Sequence, residues 1–181
     1  MAAEKEEKKE AWLNYLALMT VIFAVCATLS TFKGGGYSTR SVMSQSQASD
    51  EWAFYQSKSI KLYMYQMQKE TLELKLLDSP KSIPKETVNR YQEKIADYKK
   101  KIEKYEQEKV EIQEKAKQLE GVRDDAQTHS KAFGVAIIFL QISILLSSIA
   151  ALLKKKVVWY AGVATGIVGL FYFVDGFFVI L

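Results

Sequence analysis

Ala132-Phe-Gly-Val-Ala-Ile-Ile-Phe-Leu-Gln-Ile-Ser-Ile-Leu-Leu-Ser-Ser-Ile-Ala-Ala-Leu-Leu153, then Lys154-Lys155-Lys156, then Val157-Val-Trp-Tyr-Ala-Gly-Val-Ala-Thr-Gly-Ile-Val-Gly-Leu-Phe-Tyr-Phe-Val-Asp-Gly-Phe-Phe-Val-Ile-Leu181 is the stretch that decides the fold. Residues 132–153 contain no charged side chain, and 157–181 contain only Asp175. A helix crosses a bilayer with roughly 20 apolar residues, so each half of this stretch is long enough. Working back toward the N-terminus, residues 11–32 are likewise free of charge. The expected fold class is an all-α membrane protein with three transmembrane helices plus a long extramembrane antiparallel helical (coiled-coil) hairpin. Its parts are a polar N-terminal segment (1–10), a first span (11–32), the hairpin (33–131, turn at 78–84), a second span (132–153), a Lys loop (154–156) and a third span (157–181). Whole-chain averages hide this division. The 181 residues are 49% hydrophobic and 25% charged with a net charge of +4, and the mean hydropathy is −0.08. Those figures would suit an ordinary soluble domain.

Within the third span, Gly162, Gly166, Gly169 and Gly176 share one helical face. Glycines in line let another backbone approach, which is how helices pack in lipid, where no hydrophobic effect drives them together. Packing inside the monomer and packing between copies both satisfy that face. Ser143 and Ser147 make a small-residue pair in the second span. Gln141 and Asp175 are polar groups inside spans, and an intramembrane ionisable residue marks a candidate ion pathway. The competing reading places Asp175 at the far interface, where ionisation is cheap. Cys26 is the one cysteine and His129 the one histidine, so no disulfide staple and no metal or other cofactor site is expected. The Lys triplet weighs most under the positive-inside rule. On the other side Lys33, Arg40, Lys115, Lys117, Arg123 and Lys131 also lie near span ends and tie the count. The compact triplet and the tolerance of long domains for translocation nonetheless favour an N-terminus in the cytoplasm and a hairpin in the periplasm over the reverse.

The middle segment begins with Gly34-Gly35-Gly36, which allows a bend as the chain leaves the membrane. Ile60, Met64, Met67, Thr71 and Leu74 then recur at steps of 4 and 3, the expected seam of the first arm against a partner helix. Pro80 and Pro84 break the helix, and Ser82 is a good cap for the next one. The second arm carries the clearest pattern. Val88, Ile95, Ile102, Lys109 and Ala116 alternate with Tyr91, Tyr98, Tyr105, Ile112 and Leu119 over five heptads, and Lys and Glu fill the positions between. Tyrosine at three successive seam positions is bulky for a tight dimer and points to a higher-order bundle.

Ala48-Ser49-Asp50-Glu51-Trp52-Ala53-Phe54-Tyr55-Gln56-Ser57-Lys58 resembles the pattern A-S-(D/N)-x-W-A-(F/Y)-Y-Q-A-K of a bacterial membrane-protein family defined only as a domain of unknown function (family 4337). Ser57 stands where that family usually has Ala. The order of parts is also similar over nearly the whole chain. The resemblance implies a bacterial inner-membrane protein and brings no activity, cofactor or catalytic residue with it. Read physically, Trp52, Tyr55, Gln56 and Lys58 form either a binding patch for a headgroup, peptide or glycan, or a contact with the second arm.

No enzyme signature is present: there is no phosphate loop, no nucleophile with its base and no ligand cluster. No segment is basic enough for nucleic acid. The expected function is structural or scaffolding, by a homo-oligomeric membrane-anchored coiled-coil protein of the bacterial envelope without catalytic activity. Its expected partners are membrane lipid and copies of itself, with other envelope proteins as candidates. The alternative is an oligomeric ion channel or transporter subunit with Asp175 and Gln141 near the pathway.

Overall fold

The computed structural model describes residues 2–78 and 84–179, with side chains described over 12–77 and 84–179. The described residues form three helices and no strand: α1 (Ala2–Asp78), α2 (Lys85–Leu153) and α3 (Lys156–Phe178). Most of the expected turn at 78–84, including Pro80 and Ser82, lies outside the described residues, as do the side chains of the polar segment 1–10. All three helices are long and apolar enough to cross a membrane. The chain divides into two compact units, Met1–Met43 with Val122–Leu181, and Ser44–Gly121.

α1 runs through Gly34, Gly35 and Gly36 without interruption, which corrects the expected bend. The reason is visible at Gly34, which is buried and where an added Cβ would lie 2.9 Å from Phe133 Cβ. This glycine serves close helix contact, so its conformational freedom goes unused. The Lys loop is also shorter than expected, because Lys156 already belongs to α3. Lys154 takes a left-handed conformation, φ 51°, to turn the chain within two residues.

In the first unit, the helices meet in successive layers. Trp12 and Leu16 of α1 pack with Ala150 of α2, joined by Val158 and Trp159 of α3. Phe23 and Ala27 pack with Leu140, flanked by Met19, Ile144 and Leu170. A third layer gathers Phe133, Phe173 and Phe177, with Phe133 and Phe177 edge to face at 5.0 Å. The side chains turned away are apolar too, among them Val25, Leu29, Leu145, Ile167 and Phe171, each more than two-fifths exposed. Apolar surface facing outward on every helix is the pattern of a lipid-facing bundle.

In the second unit, α1 and α2 run in opposite directions. Trp52 meets Glu120, Lys58 meets Glu108, and Tyr65 meets Tyr105 and Tyr98, so the paired positions approach each other along the sequence. The second-arm seam is placed as its spacing predicts, with Ile95, Ile112 and Ala116 buried and Val88, Tyr91, Tyr98, Ile102, Tyr105, Lys109 and Leu119 half-buried. The first-arm seam is different. Ile60, Met64, Met67 and Leu74 are all more than half exposed. The face of α1 against α2 instead holds Ser44, Ala48, Leu62 and the half-buried Tyr55, Tyr65, Leu72 and Leu76. α1 has two apolar stripes at helical spacing, and the aromatic stripe is the one that fits the tyrosines of α2.

Candidate functional site

The motif residues Trp52, Tyr55 and Lys58 are turned toward the second arm. Trp52 Nε1 donates to Glu120 Oε1 at 2.9 Å, and its ring lies edge-on to Tyr55 at 5.5 Å. Tyr55 in turn receives Lys109 Nζ over its ring at 4.8 Å, which accounts for the polar member of the second-arm seam. Lys58 Nζ donates to Glu108 Oε2 at 2.5 Å and sits over the rings of Phe54 and Tyr105, about 5 Å from each. Glu51 pairs with Lys115. Gln56 alone of the four patch residues is exposed.

The Lys58 ammonium holds the Glu108 carboxyl below its ordinary range, chiefly by hydrogen bonding. A hydrogen bond to Asp97 likewise raises the Lys101 ammonium, and one from Arg123 lowers Asp124. Farther along, Tyr65 stacks on Tyr105 at 5.8 Å and tilts against Tyr98 at 5.5 Å. Two of the three bulky seam tyrosines are therefore matched by an aromatic ring of the same chain. Ring pairs of this kind add about 0.5–1.5 kcal/mol beyond their burial, and exposed cation–π contacts about 0.5–1 kcal/mol.

In the first unit, all four glycines of α3 are buried and each is occupied by the chain's own neighbours. A Cβ at Gly162 would lie 3.2 Å from Leu146 Cβ, and one at Gly169 would lie 2.8 Å from Leu140 Cγ. At Gly176 it would lie 2.8 Å from Phe133, and at Gly166 it would clash with Phe23 Cε2 and Cζ and lie 2.7 Å from Ser143 Oγ. Ser143 is fully buried and donates to Gly162 O at 2.6 Å, while Ser147 is 1% exposed beside the same glycine. The glycine face is approached from within the chain by Leu146, Phe23, Leu140 and Phe133.

Asp175 is 7% exposed, and its carbonyl accepts from Val179 N at 2.7 Å. Gln141 is exposed on α2. It adjoins Leu140, which faces Gly169, whereas Asp175 is six residues farther along α3, about 9 Å at 1.5 Å per residue. The two candidate pathway residues are not brought together.

His129, too isolated in the sequence for a metal ligand, takes a structural role that its spacing does not announce. Its Nδ1 lies 2.9 Å from Gly176 O. A carbonyl only accepts, so Nδ1 carries the hydrogen. Its ring stacks on Tyr37 at 4.4 Å, and the next residue, Ser130, donates through Oγ to Gly34 O at 3.1 Å. The last carbonyls of a helix lack intrahelical partners, and α3 has no basic residue in its last turn. A lone His just ahead of a span is the signal that could have suggested this role. Among the described residues, no three His, Cys, Asp or Glu gather as metal ligands.

A family model described as a domain of unknown function (DUF4337) matches residues 12–179. Neither the curated proteins nor the solved structures gave a match.

Proposed function

The chain belongs to the DUF4337 family, and from that premise we propose that it is a homo-oligomeric, membrane-anchored coiled-coil protein with a structural or scaffolding role in the bacterial envelope. The three apolar helices anchor it in the inner membrane, and the arms within 44–121 form an extramembrane helical hairpin on the periplasmic side. The observation that carries this reading is the cross-arm series Trp52–Glu120, Lys109–Tyr55, Lys58–Glu108 and Tyr65–Tyr105. Its charged and aromatic groups are spent on joining two helices side by side. That chemistry builds a rigid helical pair, and the same groups used for substrate would have to be released first. The glycine and serine contacts of the spans support the same reading, since they close helix on helix around α3.

Reconstitution into planar bilayers, with pull-down from envelope extracts, tests the proposal. The scaffold reading expects no conductance and co-purified envelope proteins. A conductance abolished by Asp175→Asn would overturn it in favour of the channel reading.

A further inference from the structure

α1 carries two apolar stripes in the second unit, and the chain itself uses one. Ile60, Met64, Met67 and Leu74 remain 61%, 54%, 68% and 52% exposed, with Thr71 exposed among them. At 3.6 residues per turn these five positions fall within about 40° of a common direction, roughly opposite the stripe that meets α2. An apolar stripe left in water on an otherwise charged helix marks an interaction surface.

The spacing says what kind of partner fits. Steps of 4, 3, 4 and 3 place Ile60, Met67 and Leu74 at d and Met64 and Thr71 at a of a coiled-coil seam. The flanks are unlike each other: Lys61, Gln68 and Lys75 occupy e, and Gln56, Tyr63 and Glu70 occupy g. In a parallel, in-register pair a g residue faces the e residue five positions on, so Glu70 meets the partner's Lys75, twice by symmetry. An antiparallel pair sets e against e and brings Lys61 against the partner's Lys75, like charge to like. The charge pattern thus selects a second copy in parallel register.

We propose that the Ile60–Leu74 stripe of α1 is a homotypic interface, pairing with the same stripe of a second copy in parallel and in register. This rests on the self-associating, membrane-anchored reading above, because copies inserted with one topology present α1 in one direction. A seam this short is marginal for free helices in water. Anchoring in one membrane raises the effective concentration of the two stripes and so offsets that weakness. The exposed Gln56 of the sequence motif takes a flanking place in the interface.

The test is disulfide trapping in membranes, in a Cys26→Ser background. Single Ile60→Cys, Met67→Cys and Leu74→Cys variants are oxidised with copper–phenanthroline, with Glu103→Cys on the exposed side of α2 as control. The proposal expects disulfide dimers at all three seam positions and none at the control. Glu70→Lys lowers trapping at Met67→Cys several-fold, and adding Lys75→Glu restores it. A dimer at Met67→Cys alone would overturn the parallel register, since an antiparallel pair meets itself only at its midpoint. No seam dimer, together with a native mass of several copies, would overturn this interface while leaving self-association standing. A single-copy mass with no dimer would overturn both.

Discussion

Gly166 has no room for a methyl group: a Cβ there would clash with the ring of Phe23 and lie 2.7 Å from Ser143 Oγ. Phe23 is fully buried, so it has little space to yield. Gly166→Ala is therefore expected to cost about 1–3 kcal/mol by overpacking, read as a lower unfolding temperature in detergent. Phe23→Leu should restore part of that loss, because the two sites share one space. Lys154 tests the opposite sign. Its φ of 51° is left-handed backbone, where a side chain costs about 1 kcal/mol or somewhat more. Lys154→Gly is expected to raise the unfolding temperature by a comparable amount, and an unchanged or lower value would contradict strain at that turn. A glycine stripe can be read from sequence, but its occupant cannot. Phe23 and Gly166 lie on different helices, and nothing in their spacing announces that one fills the other.

At the scale of the helix, the two arms were unequally legible. α2 carries a single apolar stripe through its charged stretch, so the period of 3 and 4 has one reading, and Ile95, Ile112 and Ala116 are buried accordingly. α1 carries two. Periodicity marks both as faces, but only the fit of Tyr55 and Tyr65 to the lysine and tyrosines of α2 decides which one turns inward. The Lys58–Glu108 pair yields a pH prediction for the arms. Glu108 has its folded carboxyl pKa lowered by the Lys58 hydrogen bond. The pair's stabilisation is thus present above the ordinary carboxylate range and is lost as pH falls through the lowered value. Lys58→Met should unfold at lower temperature than the wild type near neutral pH, and the gap should narrow as pH drops below about 4. A gap that widens toward acid would contradict the assignment.

For the molecule as a whole, the all-helical character is legible in the uncharged stretches: each of the three described helices is long and apolar enough to cross a membrane and holds one of those stretches, the third as far as Phe178. The role of His129 was hidden because it depends on where α3 ends relative to α2, which no local pattern encodes. The proposed membrane sidedness, argued from the Lys loop, gives its own prediction. In a Cys26→Ser background, Glu103→Cys, exposed on α2 away from the proposed seam, is expected to react with a membrane-impermeant maleimide in cells with a permeabilised outer membrane. Lys155→Cys is expected to react only after the inner membrane is opened, and the reverse pattern would invert the topology. Assembly of several copies into one anchored scaffold is read out by native mass spectrometry of the protein extracted in mild detergent. The expected mass is two or more times that of the 20.6 kDa chain, and a single-chain mass alone would rule the assembly out.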